Sequence, residues 1–192
     1  MNMHNEDNFT DKIMNFFKQI HALDRIPRAG FLLRGVTEPE SVSAHSHFLS
    51  LLAVLFLDEY PQGYDREKVV IMALVHDLPE AFSMDIPMPV ADEVFGRAKK
   101  TLELKLFRNL FDSFDHKFIE YYEEFAAKKT AEAKLVAALD KLQMIIKIVS
   151  YEKENRGCLT EFWGNEANFR SYGIREIEKI FHRLREMKTS GC

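Results

Sequence analysis

The sequence predicts a single all-α domain spanning residues 1–192. Apolar residues recur every three or four positions through most of the chain, and they nowhere alternate strictly with polar residues over a useful length. A hydrophobic content of 46% with 29% charged residues is typical of a globular chain that can bury a full core. We therefore expect a bundle of helices without a sheet.

Each expected helix is recognised by an apolar stripe with a period near 3.6 residues. The approximate bounds are 8–22, 41–59, 65–77, 91–111, 115–128, 130–154 and 174–187. Prolines, glycines and other turn-forming residues concentrate between the helices, where we expect loops. The main loops are expected at 24–40, 80–90 and 156–173.

Polar residues mark where several of these helices begin. Ser41 or Ser43 can cap the second helix, because a side-chain oxygen accepts from the free amides of the first turn. Asp65 can cap the third helix and Thr130 the sixth. The third helix should end just before Pro79, which has no amide hydrogen and restricts the residue before it. The second helix is apolar on opposite sides, so we expect it to be central and covered on most faces.

Charge and hydropathy exclude two classes of partner. The net charge is −4, from 26 basic and 30 acidic residues, without the basic excess that a nucleic acid polymer demands. The N-terminus lacks the pattern of a signal peptide, and the longest apolar run, residues 48–57, is too short to span a bilayer. We expect a cytoplasmic protein with no membrane partner.

Four histidine and aspartate side chains lie in strongly apolar, helix-like sequence: His45, His76, Asp77 and Asp140. Taken singly, His45 can be a hydrogen-bonded core residue and Asp140 can pair with a buried cation. One divalent metal ion would instead satisfy all four groups, each of which is costly to bury alone. Two imidazole nitrogens and two carboxylate oxygens suit Mn, Co, Fe, Ni or Zn, and Mg stays among the candidates.

Two acids and two arginines lie close to these residues in the sequence. Glu80 and Asp85 follow the His-Asp pair, and either could act as a general acid or base beside a metal-activated water. Arg28 and Arg34, in the loop before the second helix, could bind an anionic group in bidentate fashion. The simpler alternative for each residue is an exposed charge on a loop.

Three segments carry a family resemblance: Ile-Pro-Arg-Ala-Gly-Phe-Leu-Leu-Arg-Gly-Val, Glu-Ser-Val-Ser-Ala-His-Ser and His-Asp-Leu-Pro-Glu-Ala-Phe-Ser-Met-Asp-Ile-Pro-Met-Pro-Val. The order His, His-Asp, Asp resembles the metal set of the HD-domain phosphohydrolase superfamily. The segments resemble its 5'-deoxynucleotidase group, over about residues 21–150. The resemblance implies an HD-domain helical bundle, often homodimeric, that releases phosphate from nucleoside 5'-monophosphates.

Roles for individual residues follow from the same resemblance. Glu80 matches the catalytic glutamate, Asp85 an aspartate next to the substrate, and Arg28 the phosphate-binding arginine, with Arg34 as a second candidate. The resemblance implies that the metal ligands are His45, His76, Asp77 and Asp140. In some members a tryptophan directly after the loop arginine helps to exclude ribose, whereas this chain has Ala29 there. The preference for one sugar is therefore not predicted.

The leading hypothesis is a metal-dependent phosphomonoesterase for nucleoside or deoxynucleoside 5'-monophosphates. Within the enzymes, the alternative is a phosphohydrolase that acts on another nucleotide or phosphate ester. Outside the enzymes, the alternative is a noncatalytic helical binding protein that keeps a structural metal. The free carboxylates of Glu80 and Asp85 argue against that last alternative, since a closed structural site needs none.

Overall fold

The structure is a computed structural model that describes residues 3–61, 63–87, 90 and 94–188, with the side chains of 3–7 excepted. Its helices are α1 (Met3–Ile20), α2 (Ala29–Leu32), α3 (Val42–Glu59), α4 (Arg66–Val75), α5 (Glu80–Ser83), α6 (Gly96–Leu110), α7 (Lys117–Ala127), α8 (Ala131–Lys153), α9 (Thr160–Gly164) and α10 (Arg175–Glu186). Among the described residues no sheet forms, and β-type pairing is limited to an isolated bridge between Pro27 and Ser41. The all-α prediction is confirmed.

The predicted caps hold the three helices that build the centre of the fold. Ser41, Asp65 and Thr130 each accept a hydrogen bond from the amide three residues further on, at 3.2, 3.1 and 3.3 Å. Of the two serines considered for α3, Ser41 is the N-cap. Helix α4 ends at Val75, ahead of Pro79, as the missing amide of proline requires.

Short helices occur where the sequence predicted loops. Helices α2, α5 and α9 lie inside the three predicted loops, and short 3-10 helices flank two of them at His21–Asp24 and Glu166–Phe169. A single helical turn is too short to show a period and is held by tertiary packing rather than by propensity. Positions 88 and 89 of the predicted 80–90 loop, and 91–93 of the predicted fourth helix, lie outside the described residues.

The core forms around α8, which packs against α3, α4, α7 and α10. The buried face of α8 includes Leu135, Leu139 and Leu142, each fully buried. From α3 and α4 it meets Leu49 and Met72, which belong to the same apolar cluster. This packing brings the buried faces of α3, α4 and α8 to one place.

Helix α3 is covered on one side only. Its core side is buried, but Phe48, Leu51 and Leu55 on the other side are 46%, 46% and 58% exposed. The prediction that this helix is covered on most faces is therefore wrong for the isolated chain, because an apolar pattern does not reveal what covers each face. Even with this apolar content, no helix in the described parts combines the length and hydropathy needed to cross a lipid bilayer.

Candidate metal centre

The predicted metal ligands come from two helices and the turn after a third. His45 lies on α3 and Asp140 on α8, while His76 directly follows α4 and Asp77 lies in the turn before α5. The turn exists because α4 stops ahead of Pro79, which occupies the N-cap position of α5. Since α3, α4 and α8 pack against one another, these side chains converge despite their separation in the sequence.

Ring nitrogens and carboxylate oxygens meet in a small volume. The Nε2 of His45 lies 3.2 Å from Oδ1 of Asp140 and 3.7 Å from Oδ2 of Asp77. The same Asp77 oxygen lies 3.0 Å from Nε2 of His76. One potential ligand atom each from His45, His76 and Asp140 all lie within 4.8 Å of one another. Ligand bonds of about 2.0–2.2 Å from nitrogen and oxygen require atoms this close together.

Hydrogen bonds on the far side of each imidazole fix which nitrogen faces the cluster. The Nε2 of Gln143 donates to both carboxylate oxygens of Glu40, at 3.1 and 3.3 Å. Because a carboxylate only accepts, the Oε1 of Gln143 must accept the Nδ1–H of His45, at 2.7 Å. The carbonyl of Ala73 accepts from Nδ1 of His76 in the same way, at 2.9 Å. In each neutral ring, Nε2 therefore presents a lone pair to the cluster.

The two inward-facing nitrogens are the clearest indication that the cluster can bind a cation. The Nε2 atoms of His45 and His76 are buried and lack a hydrogen-bond partner among the described residues. Leaving a buried polar atom unpaired costs about 1–3 kcal/mol. A divalent ion would remove that cost at both nitrogens, and the carboxylates of Asp77 and Asp140 would balance its charge. The donor set thus fits the predicted ion.

The pKa shifts follow the same charge distribution. Burial by itself raises the pKa of Asp77, but the adjacent His76 lowers it below the ordinary range. Burial also opposes ionisation of Asp140, whose pKa is lowered by Lys141 and His45. Burial lowers the pKa of His76, yet the Asp77 carboxylate raises it overall. Two ionised carboxylates therefore face the same small volume as the two imidazole nitrogens and attract a cation.

Arg28 lies beside the cluster and is held there by Asp85. Its Nη1 lies 3.4 Å from Oδ2 of Asp77 and 3.9 Å from Oδ1 of Asp85. The other oxygen of Asp85 accepts the amide hydrogen of Ala29, at 2.7 Å. Burial lowers the pKa of Arg28, but the carboxylates of Asp85 and Asp77 raise it above the usual value. A permanent cation therefore faces the metal cluster.

Glu80 is the first residue of α5 and is buried. Burial, followed by the charges of Asp77 and Asp85, raises the pKa of Glu80 well above its ordinary value. The Nζ of Lys99, on α6, lies 3.6 Å from Oε1 of Glu80 and 3.2 Å from Oε1 of Glu103. The environment of Glu80 therefore favours the protonated acid, with a lysine close by.

A cavity with a volume of about 290 Å³ opens beside the cluster, near the lower end of the range for small-molecule sites, about 300–1,000 Å³. Asp77 and Asp140 line it together with Arg28 and Glu80. Arg34 also lines it, but its guanidinium makes a bidentate pair with Glu161, at 2.7–3.0 Å. Because the pair engages Nε and Nη2 of Arg34, a substrate anion would have to bind through the remaining N–H groups, chiefly those of Nη1.

The HD domain family profile matches residues 20–180. The chain belongs to the HD-domain family. This HD-domain chain is 35% identical over 190 residues to the 5'-deoxynucleotidase HDDC2 of Danio rerio, across 94% of this chain and 92% of that protein. It is 33% identical over 182 residues to the Xenopus laevis protein of the same name, across 93% and 88% of the two chains. The PH0347 protein of Pyrococcus horikoshii OT3 has a similar structure, with a TM-score of 0.77 and 32% identity, covering 91% of this chain and 99% of that one.

Sequence reasoning missed several residues around the centre of this HD domain. Gln143 and Glu40 support His45, and a signal existed for Gln143, which is a polar residue in the apolar stripe one turn after Asp140. Lys99 resembles an ordinary surface residue because it pairs with Glu103 four positions away on α6.

Proposed function

We propose that this chain is a metal-dependent phosphomonoesterase that hydrolyses deoxynucleoside 5'-monophosphates to nucleoside and phosphate. The observation that carries the proposal is the convergence of two buried imidazole nitrogens, which have no hydrogen-bond partner among the described residues, with two carboxylates. This cluster lies beside a cavity that is also lined by Arg28, whose side chain is 17% exposed. The relatives named 5'-deoxynucleotidase supply the substrate class. The proposed ligands are His45, His76, Asp77 and Asp140.

In this proposal Arg28 binds the phosphate group. Its guanidinium faces the cavity beside Asp77, within reach of an anion that approaches the metal cluster. A guanidinium can donate two parallel hydrogen bonds to phosphate oxygens and offset the charge that develops on them. Asp85 was predicted to carry protons, but one of its oxygens already accepts from the amide of Ala29. We therefore assign Asp85 mainly to positioning the Arg28 loop.

Glu80 is the proposed general acid. Because its pKa is raised, its carboxyl group can keep a proton and donate it to the leaving 5' oxygen of the nucleoside. Lys99 lies near the same carboxyl group and would stabilise the carboxylate that remains after the transfer. When bound, a divalent ion supplies Lewis-acid polarisation of the phosphoryl oxygen and lowers the pKa of a water molecule to about 7.

Two further expectations belong to this proposal. A homodimer would cover the exposed apolar side of α3, formed by Phe48, Leu51 and Leu55, which is costly to leave in water. The particle mass in solution would measure this state. A cytoplasmic location also remains part of the proposal and would be observed by fractionating cells that produce the protein.

The test begins with chelator-stripped protein and a substrate panel of dAMP, AMP, dATP and 2-deoxyribose 5-phosphate. Stripped protein should release no phosphate from dAMP, and Co²⁺ or Mn²⁺ should restore the activity. The His76→Ala variant should lose both bound metal, measured by elemental analysis, and turnover. The Glu80→Gln variant should keep its metal and lose about 10²- to 10⁴-fold in kcat, the usual contribution of an acid or base.

His47→Ala is the matched control, because His47 is an exposed histidine on α3 two positions after His45. Its metal content and kcat should equal those of the unmodified protein. Full activity after stripping would refute the metal role. A panel in which dAMP ranks last would refute the substrate assignment and favour another phosphohydrolase, whereas no turnover of any phosphate ester by metal-loaded protein would favour the noncatalytic alternative.

A further inference from the structure

The cavity beside the metal cluster extends to a second wall that the proposed chemistry does not use. This wall comes from the segment after α8, and it faces the loop that carries Arg28. Its lining residues include Glu161, Phe162, Asn165 and Asn168. A phosphate group and a metal ion need none of these side chains, so this wall must meet another part of the ligand or have only a structural role.

Helix α9 presents one of its two aromatic residues to the cavity and the other to the core. Phe162 lines the cavity and is half-buried, whereas Trp163 is only 6% exposed. The indole Nε1–H of Trp163 donates to Glu152, at 2.9 Å. Core packing therefore explains the aromatic side chain at Trp163. It does not explain why the part of Phe162 that faces the cavity is aromatic.

The ring of Phe162 is held by neighbours from the Arg28 loop. Its centroid lies 5.4 Å from that of Phe31, and the guanidinium carbon of Arg34 lies 5.8 Å from its centroid. Gly30 also lies beside the ring, at a position where a Cβ would be in ordinary van der Waals contact with it, at 3.6 Å. A ring fixed in this way can bind a planar group without a large loss of side-chain entropy.

The segment that carries Phe162 is itself tied to the same loop. The amide of Cys158 donates to the carbonyl of Arg34, at 2.7 Å, and the ion pair between Arg34 and Glu161 lies one turn further on. At Gly157, which has a φ of +75°, a Cβ would lie only 2.7 Å from the Arg34 carbonyl oxygen, so this close approach requires glycine. The Nδ2 of Asn168 donates to the Phe162 carbonyl, at 2.9 Å.

One loop therefore connects the two ends of the cavity. Arg28, at its start, lies against the metal cluster, and Arg34, at its end, lies against α9. A ligand that spans the cavity would meet the metal cluster and Arg28 at one end. At the other end it would meet an aromatic ring and the amide of Asn165, beside the Arg34–Glu161 ion pair, in which the two charges offset each other. A planar heterocycle with polar edges, attached to a phosphate through a short linker, has this distribution of chemistry.

We propose that the wall formed by α9 is a nucleobase subsite in which the base lies against Phe162. The inference rests on the proposed function, and it adds the residue that recognises the nucleoside part of the substrate. Stacking on an aromatic side chain is tolerant of base identity because every base has a π-face. We therefore expect purine and pyrimidine deoxynucleotides to be accepted, and a sugar phosphate without a base to be a poor substrate.

The test compares dAMP with 2-deoxyribose 5-phosphate, which keeps the sugar and phosphate but lacks the base. The Phe162→Leu variant removes the ring while keeping an apolar group against Phe31. Stacking is worth about 1–3 kcal/mol per base, or about 5- to 150-fold. The ratio of kcat/KM for dAMP to that for 2-deoxyribose 5-phosphate should fall by that factor, mainly through KM for dAMP. Phe162→Tyr should restore the ratio.

Phe17→Leu is the control, because Phe17 is 62% exposed on α1 and does not line the cavity. Its ratio should match that of the unmodified protein. An unchanged ratio in Phe162→Leu, or an equal loss for both substrates, would overturn the subsite while leaving the phosphatase proposal intact.

If the unmodified protein hydrolyses neither compound, the proposed function fails, and calorimetric titration of both compounds into the protein decides the subsite separately. Phe162→Leu should then weaken dAMP binding by the same factor relative to 2-deoxyribose 5-phosphate. An equal effect on the two dissociation constants would reject the inference.

Discussion

Replacing Gln143 by leucine should weaken metal binding although Gln143 is not a ligand. The side chain is 5% exposed, accepts from His45 Nδ1 at 2.7 Å and donates to both oxygens of Glu40. Leucine has a similar volume but can neither accept nor donate. His45 would then be free to move its proton to Nε2, the nitrogen that faces the cluster.

The expected loss of metal affinity is about 10- to 100-fold, the usual effect of removing the group that orients a ligating histidine. This equals about 1.4–2.7 kcal/mol. The free energy of unfolding should also fall by about 1.5–3 kcal/mol, because the buried Glu40 carboxylate loses its amide donor. Lys147, with its Nζ 3.6 Å from Oε2 of Glu40, should keep the loss of unfolding free energy near the lower end of that range.

The assay is calorimetric titration of Co²⁺ or Mn²⁺ into chelator-stripped protein, with unfolding in urea as a separate measurement. Ser150→Ala is the control on the same helix, since its exposed hydroxyl donates to the carbonyl of Ile146 within that helix. Gln143→Glu separates the effect on metal affinity from the effect on stability. It keeps an acceptor for His45 and should preserve metal affinity, but it places a second carboxylate beside Glu40 and should lower stability. Folded Gln143→Leu protein with metal affinity within about twofold of the original would refute the orienting role.

Two other predictions concern stability. In the folded protein the pKa of Glu80 is raised above its ordinary value of 4.5. As the pH rises from 4.5 through the raised pKa, the unfolded protein loses the Glu80 proton more readily than the folded protein, so the free energy of unfolding falls. Glu80→Gln should therefore leave the unfolding free energy of metal-free protein unchanged near pH 4 and increase it near pH 8, and an equal effect at both would contradict the shift. Leu142→Ala, at a fully buried position, should cost about 2–5 kcal/mol in urea unfolding, whereas Leu102→Ala, at a position 49% exposed, should cost less than about 1 kcal/mol. Similar losses at the two sites would contradict the burial argument.

The sequence was informative about the centre of the fold for a local reason. The caps at Ser41, Asp65 and Thr130 act within four residues, and the apolar stripe of α8 is a repeat along one helix. Polar residues inside apolar helices could also be recognised as costly to bury before any partner was known. The convergence of His45 with Asp140 agrees with that reasoning, while the ligand roles themselves stay predictions.

Local sequence patterns could not show how much of the surface of α3 is buried, nor where short helices form in the loops. An apolar face looks the same in sequence whether the same chain, a second copy or water covers it. Phe48 and Leu51 are exposed although their pattern suggests burial. Helices α5 and α9 each have five residues or fewer, so they depend on neighbours that the local sequence does not specify.

By itself, the sequence determined an all-α chain and the helices of its centre, and it predicted a set of metal ligands, because periodicity, capping and the cost of burying charge are properties of short segments. Only the tertiary structure decided that Gln143 orients His45 from 98 positions away, and that Glu161 holds Arg34 from 127 positions away. It also decided that Phe162 rather than Trp163 faces the cavity. Such contacts depend on how helices pack, and packing joins residues that no local pattern relates.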